Sequence, residues 1–253
     1  MEKLADWDDL ARLFAAEAAE GTIDRLRRHW SLVEAGEQAG RLTAVEAVEA
    51  VRRQYGESLE LLRIAEGAVG GEPGFRYADI GTGGGWPGLV VACARPGWEV
   101  HLVEPLQKRA RFLEAAAREL GCTNVTVHAL RAEEAGRGPL REACGLVTAR
   151  AVAELRVVLE YAAPLAAVGG VIALPKGSRL EEELAAAEAA VAELGCELDA
   201  ILPMRPEVSE TVRVALFRKR AACPARYPRR AGVPERRPIG GPVRRAGVIG
   251  ADC

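Results

Sequence analysis

The chain has 253 residues and is 49% hydrophobic, enough for one substantial α/β core with a helical elaboration, and no repeat of fixed period is visible. Its net charge of −2 hides a division: from Arg218 to Cys253 there are ten Lys or Arg against Glu235 and Asp252, whereas the preceding part is acidic. Six cysteines without C-x-x-C spacing (Cys93, Cys122, Cys144, Cys196, Cys223, Cys253) read as reduced, mostly buried thiols. Three scattered histidines (His29, His101, His128) exclude a metal centre, and an acidic start with no unbroken apolar stretch excludes a signal or a membrane span, so a cytoplasmic protein is expected.

The first segment, residues 1–72, is helical in pattern, with Trp7, Leu10 and Phe14 on one face and a Val/Leu stripe from Leu42 to Leu62. It reads as a cap packed on the following domain. The core, residues 73–220, opens on a short apolar strand that breaks into Asp79-Ile80-Gly81-Thr82-Gly83-Gly84-Gly85-Trp86-Pro87-Gly88, with five glycines in eight positions. Glycine lacks a Cβ, so it takes the positive φ of a tight turn and lets a ligand touch the main chain. Gly83 to Gly88 formally satisfies G-x-G-x-x-G, but Pro87 has no N–H for a phosphate and suits the first turn of a helix. The other register, Asp79-x-Gly81-x-Gly83-x-Gly85, is similar to the turn with which class I methyltransferases hold the amino-acid half of S-adenosylmethionine.

A second strand, Trp98 to Val103, ends at Glu104, which lies 23 positions after Gly81. A carboxylate there can accept both ribose hydroxyls of an adenosine, a geometry that suits NAD and S-adenosylmethionine alike. A helix from Lys108 to Leu120 is closed by Gly121, and a third strand, Asn124 to His128, precedes Arg131-Ala132-Glu133-Glu134. In an adenosine site this loop borders the adenine edge, and either Glu133 or Glu134 could pair with the exocyclic amine. A fourth strand, Cys144 to Ala149, ends in Arg150. A helix from about Glu154 to Ala167, stopped by Gly169-Gly170, leads to a fifth strand, Val171 to Leu174. After a helix from Leu180 to Leu194, two β-patterned segments, Glu197 to Pro203 and Glu210 to Arg218, are joined by a short turn. An antiparallel pair at the edge of a parallel sheet belongs to the methyltransferase fold and is foreign to the dinucleotide fold.

Taken together, Asp-Ile-Gly-Thr-Gly-Gly-Gly-Trp-Pro-Gly (79–88), Lys-Arg-Ala-Arg-Phe-Leu (108–113), Arg-Ala-Glu (131–133), Thr-Ala-Arg-Ala-Val-Ala (148–153), Leu-Pro-Lys-Gly (174–177) and Tyr-Pro-Arg-Arg-Ala-Gly-Val-Pro-Glu-Arg-Arg-Pro (227–238) make a consistent series. In this order they resemble the small-subunit (16S) ribosomal RNA guanine-N7 methyltransferases, the RsmG or glucose-inhibited division protein B family. The resemblance implies an α/β class I S-adenosylmethionine-dependent fold. Its features would be a mostly parallel seven-stranded sheet, a terminal antiparallel hairpin and a helical amino-terminal cap. Position by position, it places S-adenosylmethionine against Gly81, Trp86, Ala132, Glu133 and Arg150, with Gly83 and Gly85 in the same turn and Glu104 at the ribose. The family usually has Phe or Leu where Trp86 stands. It reads Asn-Leu-Thr where this chain has Arg41-Leu42-Thr43, and a His with Leu-Asp-Ser-Leu where it has Gln54-Tyr55-Gly56-Glu57-Ser58-Leu59.

Guanine N7, the target the resemblance implies, has a free lone pair at neutral pH, so no general base and no catalytic residue in the strict sense is expected; positioning supplies the rate. The implied partner is 16S ribosomal RNA or the small ribosomal subunit, without a membrane, and a monomer is expected. The basic tail, residues 221–253, is too rich in Arg, Pro and Gly to form a core and is expected to lie along phosphates, with Tyr227 offering a base a stacking face and Gly241 to Cys253 past the family pattern.

Overall fold

The computed structural model describes residues 3–36, 42–43 and 45–241. Arg41, Cys253 and the rest of the segment after Gly241 lie outside the described residues. The amino-terminal part comprises α1 (Trp7–Leu13), α2 (Thr22–Gly36), the short α3 (Ala47–Ala50), a π-helical segment (Val51–Gly56) and α4 (Glu57–Val69). The Asp6 carboxylate caps α1 by accepting from the Asp8 and Asp9 N–H groups, and Gly70, at φ 74°, ends α4. Leu10, Phe14, Leu26 and Tyr55 are fully buried against one face of the sheet, in a core shared with Tyr77, Leu89 and Leu102. At roughly 1.5–3 kcal/mol for each large apolar side chain withdrawn from water, this joint burial ties the cap to the sheet.

The sheet has seven strands: β1 (Arg76–Ile80), β2 (Glu99–Val103), β3 (Val125–His128), β4 (Cys144–Ala149), β5 (Ala166–Lys176), β6 (Cys196–Pro203) and β7 (Arg213–Lys219). Their order is β3-β2-β1-β4-β5-β7-β6, parallel except for β7, which runs antiparallel to both β5 and β6. Helices α5 (Gly88–Ala94) and α6 (Gln107–Glu119) cover the same face as the cap. On the other face lie α7 (Ala132–Ala135), α8 (Leu155–Ala162), α9 (Leu180–Glu193) and the short α10 (Val233–Arg236). The expected α/β class I methyltransferase architecture, with its terminal antiparallel pair, is what the chain adopts.

Three local expectations are revised. The helix after β4 ends at Ala162, just before Pro164, and Gly169-Gly170 lie inside β5. There the register against β4 jumps from Cys144↔Ala166 to Leu146↔Val171, and a Cβ at Gly170 would stand 2.9 Å from the Ala167 carbonyl oxygen, so these glycines serve a bulge and stop no helix. The β6–β7 connection, residues 204–212, is longer than a hairpin turn because it anchors the cap. Arg205 Nε donates to Glu60 (2.7 Å) and its guanidinium lies 4.3 Å from the Phe14 ring centre.

The described part of the basic tail is folded onto the core, against the expectation of a free phosphate-binding arm. Arg229 donates to the fully buried Glu160 through Nε (2.8 Å) and its backbone N–H (2.9 Å). Arg137 and Arg141 reach the Pro228 and Tyr227 carbonyls at 2.7 and 2.8 Å. Tyr227 is buried, donates its hydroxyl to Glu193 at 2.5 Å and has Arg226 5.0 Å from its ring centre, so its face is not open to a base. Arg226 and Arg229 of this segment meet carboxylates of the acidic part of the chain, Glu193 and Glu160, which composition alone does not reveal.

Candidate functional site

In an open α/β sheet the ligand crevice lies beyond the carboxyl ends of the strands, where the strand order reverses. Here that point is between β1 and β4. The register Ile80↔Val103 and Ile80↔Ala149 brings the ends of β2, β1 and β4 to one level, with His128 of β3 beside Val103. Gly81, Glu104 and Arg150 each directly follow one of these ends, and Ala132 opens the short helix after β3. The fold therefore brings the candidate residues from four separated segments to one edge.

The glycine turn is held from within. Asp79 is fully buried; its Oδ2 accepts from the Gly88 N–H (2.9 Å), an otherwise orphan donor at the start of α5, and its Oδ1 accepts from the Thr148 hydroxyl (2.8 Å). Burial pushes this carboxyl up to about 6, against those hydrogen bonds. Pro87 directly precedes α5, where its missing donor costs nothing. Gly81 has φ 66°, and a Cβ there would meet the Val152 side chain at 2.8 Å, so the loop after β4 packs directly on the turn after β1. Gly83 has φ 59°, and a Cβ there would have nothing nearer than 3.9 Å, so open space lies beside its backbone. The Gly85 N–H closes the turn onto the Thr82 carbonyl at 2.8 Å.

Glu104 grips the same turn: Oε2 accepts from the Gly83 N–H (3.0 Å) and Oε1 from the Leu106 N–H (2.9 Å). A carboxylate offers about four acceptor positions, which leaves two for a ligand hydroxyl pair. The two glutamates after β3 separate cleanly. Glu134 accepts from the Arg131 N–H (2.9 Å) and caps its own helix, whereas Glu133 is buried and accepts from the Gly232 N–H (3.0 Å) of the carboxyl-terminal segment.

Trp86 points toward the cap. Its ring centre lies 5.3 Å from that of His29 and 5.9 Å from that of Tyr55, and a Cβ at Gly84 would meet it at 2.5 Å. Buried His29 bridges cap and turn: the Gly84 carbonyl lies 2.9 Å from Nε2 and the Tyr55 hydroxyl 3.0 Å from Nδ1. A carbonyl only accepts, so Nε2 carries the hydrogen and Nδ1 accepts from Tyr55. Burial pushes the imidazole down to about 4, so it is neutral at pH 7.

Arg150 is held by the cap. Its Nη1 donates to the Arg53 carbonyl (2.7 Å) and lies 3.5 Å from Glu57 Oε2, and Nη2 donates to Gln54 Oε1. Burial lowers the Arg150 pKa, and the Glu57 and Asp79 carboxylates oppose that shift. Ala151, the next residue, takes the left-handed conformation at φ 56°, a strained turn for a residue with a Cβ. Sequence reasoning missed His29, Tyr55, Gln54, Glu57 and Val152, because their roles rest on contacts between distant segments. Only the departure at Gln54-Tyr55-Gly56-Glu57 marked that stretch at all.

The strand order, the glycine turn and the acid after β2 define a class I S-adenosylmethionine-dependent methyltransferase fold. Among solved structures, a mutant of MtNAS in complex with S-adenosylmethionine aligns with a TM-score of 0.55 at 17% identity, covering 86% of this chain and 85% of that one, a likeness of fold alone. The family described as rRNA small subunit methyltransferase G (GidB) matches residues 22–207. Proteins named ribosomal RNA small subunit methyltransferase G are similar along most of their length. The one from Symbiobacterium thermophilum is 42% identical over 231 residues (88% of this chain, 92% of the relative), and the one from Desulfitobacterium hafniense 40% over 211 residues (82% and 85%). The chain belongs to this family of rRNA methyltransferases.

Proposed function

We propose that this protein transfers the methyl group of S-adenosylmethionine to N7 of a guanine in 16S ribosomal RNA, by direct in-line attack and without a general base. The observation that carries the reading is the Gly81–Gly85 turn gripped by Glu104 at the switch point of the sheet, in a chain of the rRNA small subunit methyltransferase G family. The residues fit an adenosine ligand: space is open beside the Gly83 backbone, and Glu104 retains acceptor positions after serving two N–H groups.

In this reading Gly81, Gly83 and Gly85 supply the backbone cradle and Glu104 holds the ribose. Ala132 and Glu133 border the adenine, and Arg150 closes the side next to β4. Trp86, backed by His29 and Tyr55, stiffens the turn. Bound S-adenosylmethionine supplies a methyl group on a positively charged sulfur. Guanine N7 carries no proton to remove, and Asp79, the acid under the turn, is fully buried and holds the Gly88 N–H and the Thr148 hydroxyl in a structural role. The protein's contribution is therefore orientation, with the nucleophile held ~3 Å from the methyl carbon, an effect that supplies roughly 7–11 kcal/mol of a barrier.

The division of labour follows: residues 1–72 form the cap, 73–220 the cofactor core, and 221–253 a basic carboxyl-terminal segment. With Arg229 committed to Glu160, the phosphate contacts fall to exposed Lys108, Arg131 and Arg179, each of which lies within a few residues of a strand's carboxyl end. The protein works as a monomer in the cytoplasm; among the described residues no helix is long and apolar enough to cross a membrane. The test is incubation with small subunits lacking the modification and labelled S-adenosylmethionine, followed by mapping of N7-methylguanine through its alkali-labile strand cleavage. Cofactor binding without label in the 16S RNA would overturn the proposal.

A further inference from the structure

The π-helical segment of the cap and Glu57, the first residue of α4, deliver three groups to one arginine. The Glu57 N–H bonds the Arg52 carbonyl, five positions back, and the Arg53 carbonyl, which an α-helix would have used for that N–H, accepts from Arg150 Nη1 at 2.7 Å. One residue on, Gln54 is buried and its amide works in both directions: Oε1 accepts from Arg150 Nη2, and Nε2 donates to the Thr43 hydroxyl oxygen at 2.8 Å. Thr43 is fixed by the Val45 N–H at 3.0 Å, and the neighbouring Leu42 carbonyl oxygen lies 3.3 Å from where a Gly84 Cβ would stand. A polar chain therefore runs from Thr43, whose neighbour Leu42 lies against the glycine turn, through Gln54 to the arginine after β4. The turn and the β4 loop also touch directly, through Gly81 and Val152.

We infer that Gln54 is a positioning residue: its side-chain amide, with the Glu57 carboxylate, fixes the Arg150 guanidinium in the orientation that S-adenosylmethionine requires. The inference rests on the proposed assignment of Arg150 to the cofactor. An amide suits the place because it donates to Thr43 and accepts from Arg150 at once. A guanidinium on a long side chain loses rotamer freedom when it binds, and a fixed one has already lost it.

The experiment measures S-adenosylmethionine affinity by calorimetry for Gln54→Leu, Gln54→Glu, Arg150→Ala and the Gln54→Leu/Arg150→Ala double variant, with melting temperatures alongside. Gln54→Leu should raise the Kd about tenfold, the scale of one hydrogen bond to a charged group. Gln54→Glu keeps an acceptor for Arg150, and the Thr43 hydroxyl can donate to it, so affinity should return to within about threefold of the parent. In the double variant the loss at Gln54 should vanish on top of Arg150→Ala, because the partner it positions is gone. A merely structural role would instead lower the melting temperature and add its loss in full to that of Arg150→Ala. If Arg150→Ala weakens binding and Gln54→Leu does not, the positioning role is overturned while the site assignment stands. If Arg150→Ala leaves affinity unchanged, the assignment of Arg150 to the cofactor falls first, and this inference with it.

Discussion

The cleft at the strand ends and the carboxyl-terminal segment both set glutamates against donors, yet they leave those glutamates in opposite states. Glu104 accepts two backbone N–H groups and keeps acceptor positions for something else. Glu160 is fully buried and takes the backbone N–H, Nη2 and Nε of a single arginine, Arg229, with Nε shared between both oxygens at 2.8 and 3.1 Å, so nothing is left over. On the proposed reading one carboxylate is poised for a ligand, and the other closes a structural joint. A basic run in a sequence thus says little about partners until each cation's intramolecular carboxylate has been found.

The largest effect should come from breaking the joint. Arg229→Met leaves a buried carboxylate without its guanidinium, a change that costs about 3–5 kcal/mol when the pair is well desolvated. The urea midpoint should fall accordingly, and adding Glu160→Gln should restore part of it. An unchanged midpoint with only a raised Michaelis constant for RNA would mean that the segment is an RNA arm after all.

Glu104→Ala probes the other state. It removes charge-assisted acceptors from the proposed ribose position, so the Kd for S-adenosylmethionine should rise about tenfold to a hundredfold, roughly 1.5–3 kcal/mol. Affinity unchanged by this substitution would take Glu104 out of the site.

Two buried titratable groups flank the turn with opposite pH signatures. His29, lowered to about 4, contributes stability that is present above its ordinary value of 6.5 and is lost as pH falls toward 4. Asp79, raised to about 6, contributes stability that is present below its ordinary 3.8 and is lost as pH rises through 6. Between pH 4 and 6 the two slopes oppose each other, and the parent protein should show a nearly flat contribution from this pair. His29→Gln keeps a donor for Gly84 and removes the rising slope. The variant should therefore lose about 3 kcal/mol less than the parent between pH 7 and 4, read from urea midpoints across that range.

The parts of the molecule that follow a local rule were legible. The strand Cys144–Ala149 and the helix following Pro87 come from apolar runs and from a residue without a donor. The acid at the end of β2 was equally plain, because spacing within a βαβ unit is set by the lengths of its own elements. What escaped is non-local. Gly169-Gly170 resemble a helix stop in sequence, and only the pairing of β5 with β4 shows them to be a bulge. Trp86 resembles a cleft aromatic until His29 and Tyr55 arrive from the cap. Arg150 stands at the predicted strand end, but the residues that orient it lie roughly a hundred positions earlier, in a π-helical turn for which the apolar period gives no signal.

Adjacent Glu133 and Glu134 reduce the contrast to its smallest scale, since the sequence leaves them equivalent and the structure gives them different partners. Glu134 is exposed and caps its own short helix, so Glu134→Ala should cost only about 1 kcal/mol and leave cofactor affinity within twofold of the parent. Glu133 is buried, joins the Gly232 N–H to the loop after β3, and carries part of the proposed site. Glu133→Ala should therefore lower both the melting temperature and the affinity for S-adenosylmethionine. The decisive comparison is calorimetry of the two single variants side by side. A larger loss of affinity at position 134 than at 133 would exchange their roles and place the adenine edge on the solvent side of the helix.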